Sequence, residues 1–170
     1  MLILAIIGNF STLCALVCCG FDQKVPTNYI LLTIFTACEG FLVGIICLRY
    51  DFHTVVEAVL LTASVCVAIT VYAMTTKTDF TVFGPLLFIV LFVFATASLL
   101  GALFGFTNNL FFSAIGVFIF SFYLLIDTQM IIGGKRRYKM SEDSYILAAM
   151  ALYLDIINIF IYILQILGDR

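Results

Sequence analysis

The chain has 170 residues, 64% of them hydrophobic and only 11% charged, with a mean hydropathy of +1.22. A soluble domain carries about one quarter charged residues, so this chain has too little polar surface to cover a water-soluble globule and reads as an integral membrane protein. The net charge of −2 says little, because the charges concentrate in loops; no basic run interleaved with aromatics points to nucleic acid.

Six apolar stretches follow in chain order, at residues 2–19, 29–48, 55–75, 82–104, 110–132 and 145–167. Each is close to the roughly 20 residues that cross about 30 Å of hydrocarbon as a helix. The first has no Lys or Arg until Lys24, so it lacks the basic flank of a signal peptide and reads as a retained membrane helix. It ends at Gly20 and FDQKVPTN, where Pro26 lacks an N–H and biases Val25 away from helix. RYDFH ends the second span and TKTD the third. Pro85 stands in the first turn of the fourth, where it is tolerated. Asn108 and Asn109 suit a tight turn before the fifth, and Gly133 and Gly134 can take the positive φ that ends it. Ser141, with Ser144 or Glu142 nearby, offers caps for the sixth; acidic Glu142 and Asp143 suit that helix's positive end. No loop is long enough for a soluble domain, so residues 1–170 read as a single transmembrane helical-bundle domain.

The loops after the first, third and fifth spans hold Lys24, Lys77, Lys135, Arg136, Arg137 and Lys139, against Arg49 and Arg170 on the other side. The excess of basic residues places the first set in the cytosol. The six cysteines, Cys14, Cys18, Cys19, Cys38, Cys47 and Cys66, form no C-x-x-C pair, and His53 is the only histidine, which argues against zinc. Most should be small apolar packers; Cys18 and Cys19, near Lys24, are placed to carry a palmitoyl group if that end is cytosolic.

Two aspartates lie inside spans otherwise apolar enough to cross a bilayer, Asp127 in the fifth and Asp155 in the sixth. A charge at that depth costs at least about 2.5–3.5 kcal/mol. In the fifth span Ser113, Gly116, Phe120, Tyr123, Asp127 and Met130 recur at steps of three and four. In the sixth, Ala148, Ala151, Asp155, Asn158, Tyr162 and Gln165 do the same. Each set lies along one helical face, and small and polar groups on one face are what a membrane helix shows to its neighbours. The short connection makes the two helices antiparallel neighbours, with the two carboxyls differing in depth by only several Å at about 1.5 Å per residue. Two carboxylates in a low-dielectric site cannot both ionise cheaply and hold one proton between them. Neither span contains Lys or Arg to neutralise them. Such a pair suits sensing pH or admitting a cation; the structural alternative is a neutral carboxyl donating one hydrogen bond between helices. Glu39, in the middle of the second span, and Glu57, near the start of the third, are further intramembrane acids with the same alternatives. Gly40-x-x-x-Gly44 and Gly101-x-x-x-Gly105 permit close helix contact. No nucleophile–base set, metal cluster or phosphate loop points to an enzyme or a cofactor.

The segment FYLLIDTQMIIGGKRRYKMSEDSYILAAMALYLDIINIFIYILQILG resembles the C-terminal half of the BAX-inhibitor-motif transmembrane proteins, in their Lifeguard branch. VPTNYILLTIFTACEGFLVGI and VVEAVLLTASVCVAITVYAMTTKTDFTVFG match the same branch, so the resemblance covers residues 26–168. It implies an all-α membrane bundle whose six helices match helices two to seven of a seven-helix fold. It implies calcium leak from internal stores, calcium homeostasis and suppression of cell death. A di-aspartyl pair on the last two helices controls the pH-sensitive leak in bacterial relatives, and the matching positions are Asp127 in IDTQ and Asp155 in LYLDIIN. Glu39 in CEGF matches an acidic position of the branch. No counterpart is assigned for the arginine that ties the aspartates shut in bacterial relatives.

The expected function is thus a pH-sensitive Ca²⁺ leak. Asp127 and Asp155 would be gate and transient Ca²⁺ contact, and Glu39, Glu57 and Asn158 would lie along the ion pathway. Ca²⁺ would be a permeant ion rather than a cofactor. The alternative is a non-transporting accessory subunit of a larger membrane complex, a partner covering the face of the missing first helix. Asn9, a costly amide in the first span, would then meet another chain or an upstream segment. The expected membrane is ER or Golgi, with the mitochondrial inner membrane as alternative.

Overall fold

Backbone amides in hydrocarbon must find partners within the chain, which leaves helices as the way for these apolar stretches to cross. The structure, a computed structural model, describes residues 1–104, 110–133 and 137–168, without the side chains of 102–104 and 142. The sequence features at Gly105, Asn108, Asn109, Gly134, Lys135, Arg136 and Arg170, and the side chain of Glu142, lie outside the described residues.

Six α-helices are formed: α1 (Leu2–Cys18), α2 (Thr27–Cys47), α3 (Phe52–Thr75), α4 (Gly84–Phe104), α5 (Leu110–Ile132) and α6 (Tyr145–Gly168). Their bounds fall within three residues of the apolar stretches, because the polar breaks are where the chain can leave the helix. Five are long and apolar enough to cross a membrane, and α1, at 17 residues, is a shorter apolar helix. The protein is an all-helical integral membrane protein, with no strand among the described residues.

The breaks use the expected chemistry with some changes. Gly20 (φ 63°) ends α1 and Gly133 (φ 66°) ends α5, both in the left-handed region that favours glycine. The Ser141 side chain accepts from Asp143 N at 3.3 Å and caps a short 3₁₀ turn, Glu142–Ser144, that leads into α6. A second 3₁₀ turn, Thr81–Phe83, precedes α4.

The described residues group into two compact units. The first comprises residues 1–50 and 140–151. In it α1 packs on α2 with Leu16 and Phe35 fully buried. Asn28, also fully buried, donates to the Asp22 carbonyl and to the Tyr145 hydroxyl, each at 3.0 Å. The second unit comprises residues 51–139 and 152–170. There α5 contacts both α3 and α4, and its run from Leu124 to Gln129 is buried on every side. Phe94 of α4 stacks on Phe112 of α5 at 4.7 Å. Large apolar side chains such as Ile3, Phe10, Phe88, Phe92 and Phe118 are exposed, as lipid-facing positions are.

Close helix approach does not occur at Gly40 and Gly44, the spaced pair on α2. A Cβ at Gly40 or Gly44 would meet nothing within 4 Å among the described residues. One at Gly116 would lie 2.7 Å from the Tyr162 ring, and one at Gly8 would lie 3.0 Å from Cys38 Sγ. Spacing alone says which glycines share a face, while the neighbour's position decides which face is used.

Candidate functional site

α5 and α6 meet along the two polar stripes. Ser113 Oγ donates to Gln165 Oε1 at 3.1 Å. One turn on, the Tyr162 ring covers Gly116 and packs with Phe120 at 5.9 Å and Phe94 at 5.7 Å. Further along, the Asp127 and Asp155 carboxyl groups stand within reach of each other. Positions rising on α5 meet positions falling on α6, so the helices run antiparallel. Both aspartates are buried, at 8% and 5% exposure. Two carboxyl groups can hydrogen-bond to each other only when one of them carries a proton.

The same unit holds buried polar atoms without partners. Asp155 Oδ2, the Tyr123 hydroxyl and Thr62 Oγ1 are buried with no hydrogen-bond partner among the described residues. Each such group costs on the order of 1–3 kcal/mol. Tyr123 stands one turn before Asp127 and within electrostatic reach of both carboxyls. Cys66 of α3 is within reach of Asp155. One unpaired hydroxyl and one thiol thus lie within electrostatic reach of the carboxyl groups.

The remaining sequence candidates stand elsewhere. Asn158 donates to the Leu154 carbonyl at 2.8 Å, so that bond goes to its own helix. Glu57 is exposed on the first turns of α3. Glu39, in the first unit, accepts from the Asn9 amide across the α1–α2 contact. α2 thus supplies a partner for the Asn9 amide within the chain. Among the described residues no group of three or more His, Cys, Asp or Glu could hold a metal ion. Two carboxyls fall short of the six to eight oxygens of a Ca²⁺ storage site.

Sequence reasoning missed Gln129. It is fully buried two residues past Asp127, and both ends of its amide bond the chain between α3 and α4. The available signal was a glutamine in an apolar helix, which must find a donor and an acceptor.

A family model described as "Inhibitor of apoptosis-promoting Bax1" matches residues 1–170. The chain belongs to the BAX inhibitor family. It is 37% identical to protein lifeguard 3 of Homo sapiens over 161 residues, covering 91% of this chain and 51% of that protein. It is 35% identical to protein lifeguard 3 of Mus musculus over 165 residues, covering 94% of this chain and 53% of the mouse protein. An uncharacterized protein of Campylobacter jejuni is 40% identical over 151 residues, covering 85% of this chain and 63% of its own length. The chain spans about half the length of the lifeguard relatives. The carboxyl pair and the Gln129 contact both fall within the stretch matched by the family model.

Proposed function

We propose that this BAX inhibitor family member provides a pH-responsive leak for Ca²⁺ in an endomembrane of ER or Golgi type, and through it bears on cell-death regulation. The observation that carries this reading is the contact of Asp127 and Asp155, buried between two antiparallel membrane helices. One proton between two carboxyls holds α5 and α6 together. Loss of that proton sets two like charges side by side in a low-dielectric medium, where repulsion is strong. The same loss creates a dianionic centre attractive to a divalent cation. Closure and cation attraction are then opposite states of one pair. Conduction needs weak occupancy, which two carboxylates with water and neighbouring hydroxyls suit better than a full coordination shell. Glu39, Glu57 and Asn158 would act along the path by attracting or passing the cation.

The test is Ca²⁺ flux into liposomes holding the purified chain, measured across pH. Asp127→Asn and Asp155→Asn are each expected to flatten the pH profile. Wild-type profiles from both variants would make the pair structural.

One observation favours a second reading. Gly40 and Gly44 present an uncovered small-residue face on α2, as an accessory subunit would offer a partner helix. A stoichiometric membrane complex recovered with the chain, together with no flux from the chain alone, would select it.

A further inference from the structure

The chain between α3 and α4 is fastened to α5 and to the segment after α5 by hydrogen bonds the carboxyl pair does not use. Gln129 Oε1 accepts from Phe80 N at 2.8 Å, and its Nε2 donates to the Thr78 carbonyl at 3.0 Å. Between those residues stands Asp79. Its Oδ1 accepts from Thr81 N at 3.1 Å and from Thr81 Oγ1 at 2.6 Å, and its Oδ2 accepts from Arg137 N at 2.7 Å. Thr81, 1% exposed, in turn accepts from Tyr138 N at 3.3 Å through its hydroxyl. The Phe80 ring sits 6.1 Å from Tyr72 of α3 and, edge-on, 5.9 Å from Phe122 of α5.

These contacts are obligatory on both sides. A buried amide without partners is costly, and so are backbone groups turned away from water. Gln129 and residues 78–80 satisfy each other only while the connection is folded back against α5. Gln129 lies about 3 Å along the helix axis from Asp127. Along that axis the fastened segment meets α5 less than one turn from the carboxyl pair, on the face about 200° around from Asp127.

We propose that residues 76–83 form a strap that closes the route leaving the pair toward the C-terminal ends of α3 and α5, with Gln129 and Asp79 as its fasteners. This rests on the reading of the pair as a gate on a cation route. Gln129 is a positioning residue: it holds the strap and touches no ion. The pair and the strap act in series. Titrating the pair sets the pH response, and the strap sets how much passes at any pH.

The experiment uses the full chain in liposomes, with Ca²⁺ flux across pH and amide hydrogen exchange followed by mass spectrometry over residues 76–83 and 137–139. Gln129→Leu removes two hydrogen bonds, and Asp79→Asn removes at least one, because its amide nitrogen cannot accept from Arg137 N while its oxygen can still accept from Thr81. Exchange at Phe80 and at Arg137 should then quicken about tenfold or more. Flux should rise several-fold with its pH dependence kept. Asp127→Asn should do the reverse, losing the pH dependence with strap protection intact. Gln129→Glu separates fastening from packing. The carboxyl group this substitution introduces can, when protonated, donate to the Thr78 carbonyl and accept from Phe80 N, whereas the carboxylate cannot donate. Protection in that variant should hold at low pH and fall as pH rises, after correction for the intrinsic exchange rate. Conduction by the wild type, with unchanged flux in variants whose strap exchanges freely, overturns the strap alone. Wild-type protection in both Gln129→Leu and Asp79→Asn also overturns it. Absence of flux from the wild type and every variant overturns the channel reading and the strap's role with it.

Discussion

Asn9 and Glu39 are each unfavourable in hydrocarbon and each become tolerable through the other. Removing one partner leaves the other with its full desolvation cost, about 1–3 kcal/mol, while replacing both with apolar groups of similar shape is nearly neutral. Asn9→Leu is therefore expected to lower stability by that amount in thermal unfolding in detergent, and Glu39→Leu likewise. The double variant should recover most of the loss. Additive losses would show that the two side chains do not act as a pair. At Asp127 and Asp155 the corresponding single changes to Asn keep a hydrogen-bonding group in place, so their effect is expected in the pH profile of flux more than in stability.

At the scale of helices, the α5–α6 contact depends on Gly116 having no side chain beneath Tyr162. Gly116→Ala forces that ring, which also packs on Phe94 and Phe120, to move. Overpacking of this kind costs about 1–3 kcal/mol. The expected outcome is a lowered thermal midpoint, largely restored by adding Tyr162→Leu. Gly40→Ala and Gly44→Ala meet open space and should leave the stability within about 0.5 kcal/mol of wild type. A loss at Gly44 equal to that at Gly116 would mean that α2 uses its small-residue face against a neighbour absent from this chain.

For the whole molecule the open quantity is orientation across the membrane. The Asp79 bond to Arg137 N ties the α3–α4 connection to the segment after α5, so Lys77 belongs on the same side as Lys139. Positive loops are retained in the cytosol, so that side is expected to be cytosolic. Lys139→Cys, in a background with the six native cysteines replaced, should react with an impermeant thiol reagent from the cytosolic face only. Reaction from the opposite face alone would invert the topology and leave the strap on the luminal side.

Helix count and bounds were legible from the order of apolar stretches, because about 20 consecutive apolar residues cross hydrocarbon as a helix and the polar breaks mark its ends. The stripes carrying Asp127 and Asp155 were legible because a period near 3.6 places residues on one face. A short connection then makes adjacent helices antiparallel. The family strings IDTQ and LYLDIIN pointed to the same two residues. What only the tertiary structure decided are contacts between groups with no periodic relation: Asn9 with Glu39, Gln129 with residues 78–80, and Tyr162 over Gly116 rather than a neighbour over Gly40 or Gly44. A helix pattern states which way a side chain faces. The rotation of the facing helix, and the path of a connection folding back over a helix end, follow from how all the helices pack at once, and local spacing does not carry that information.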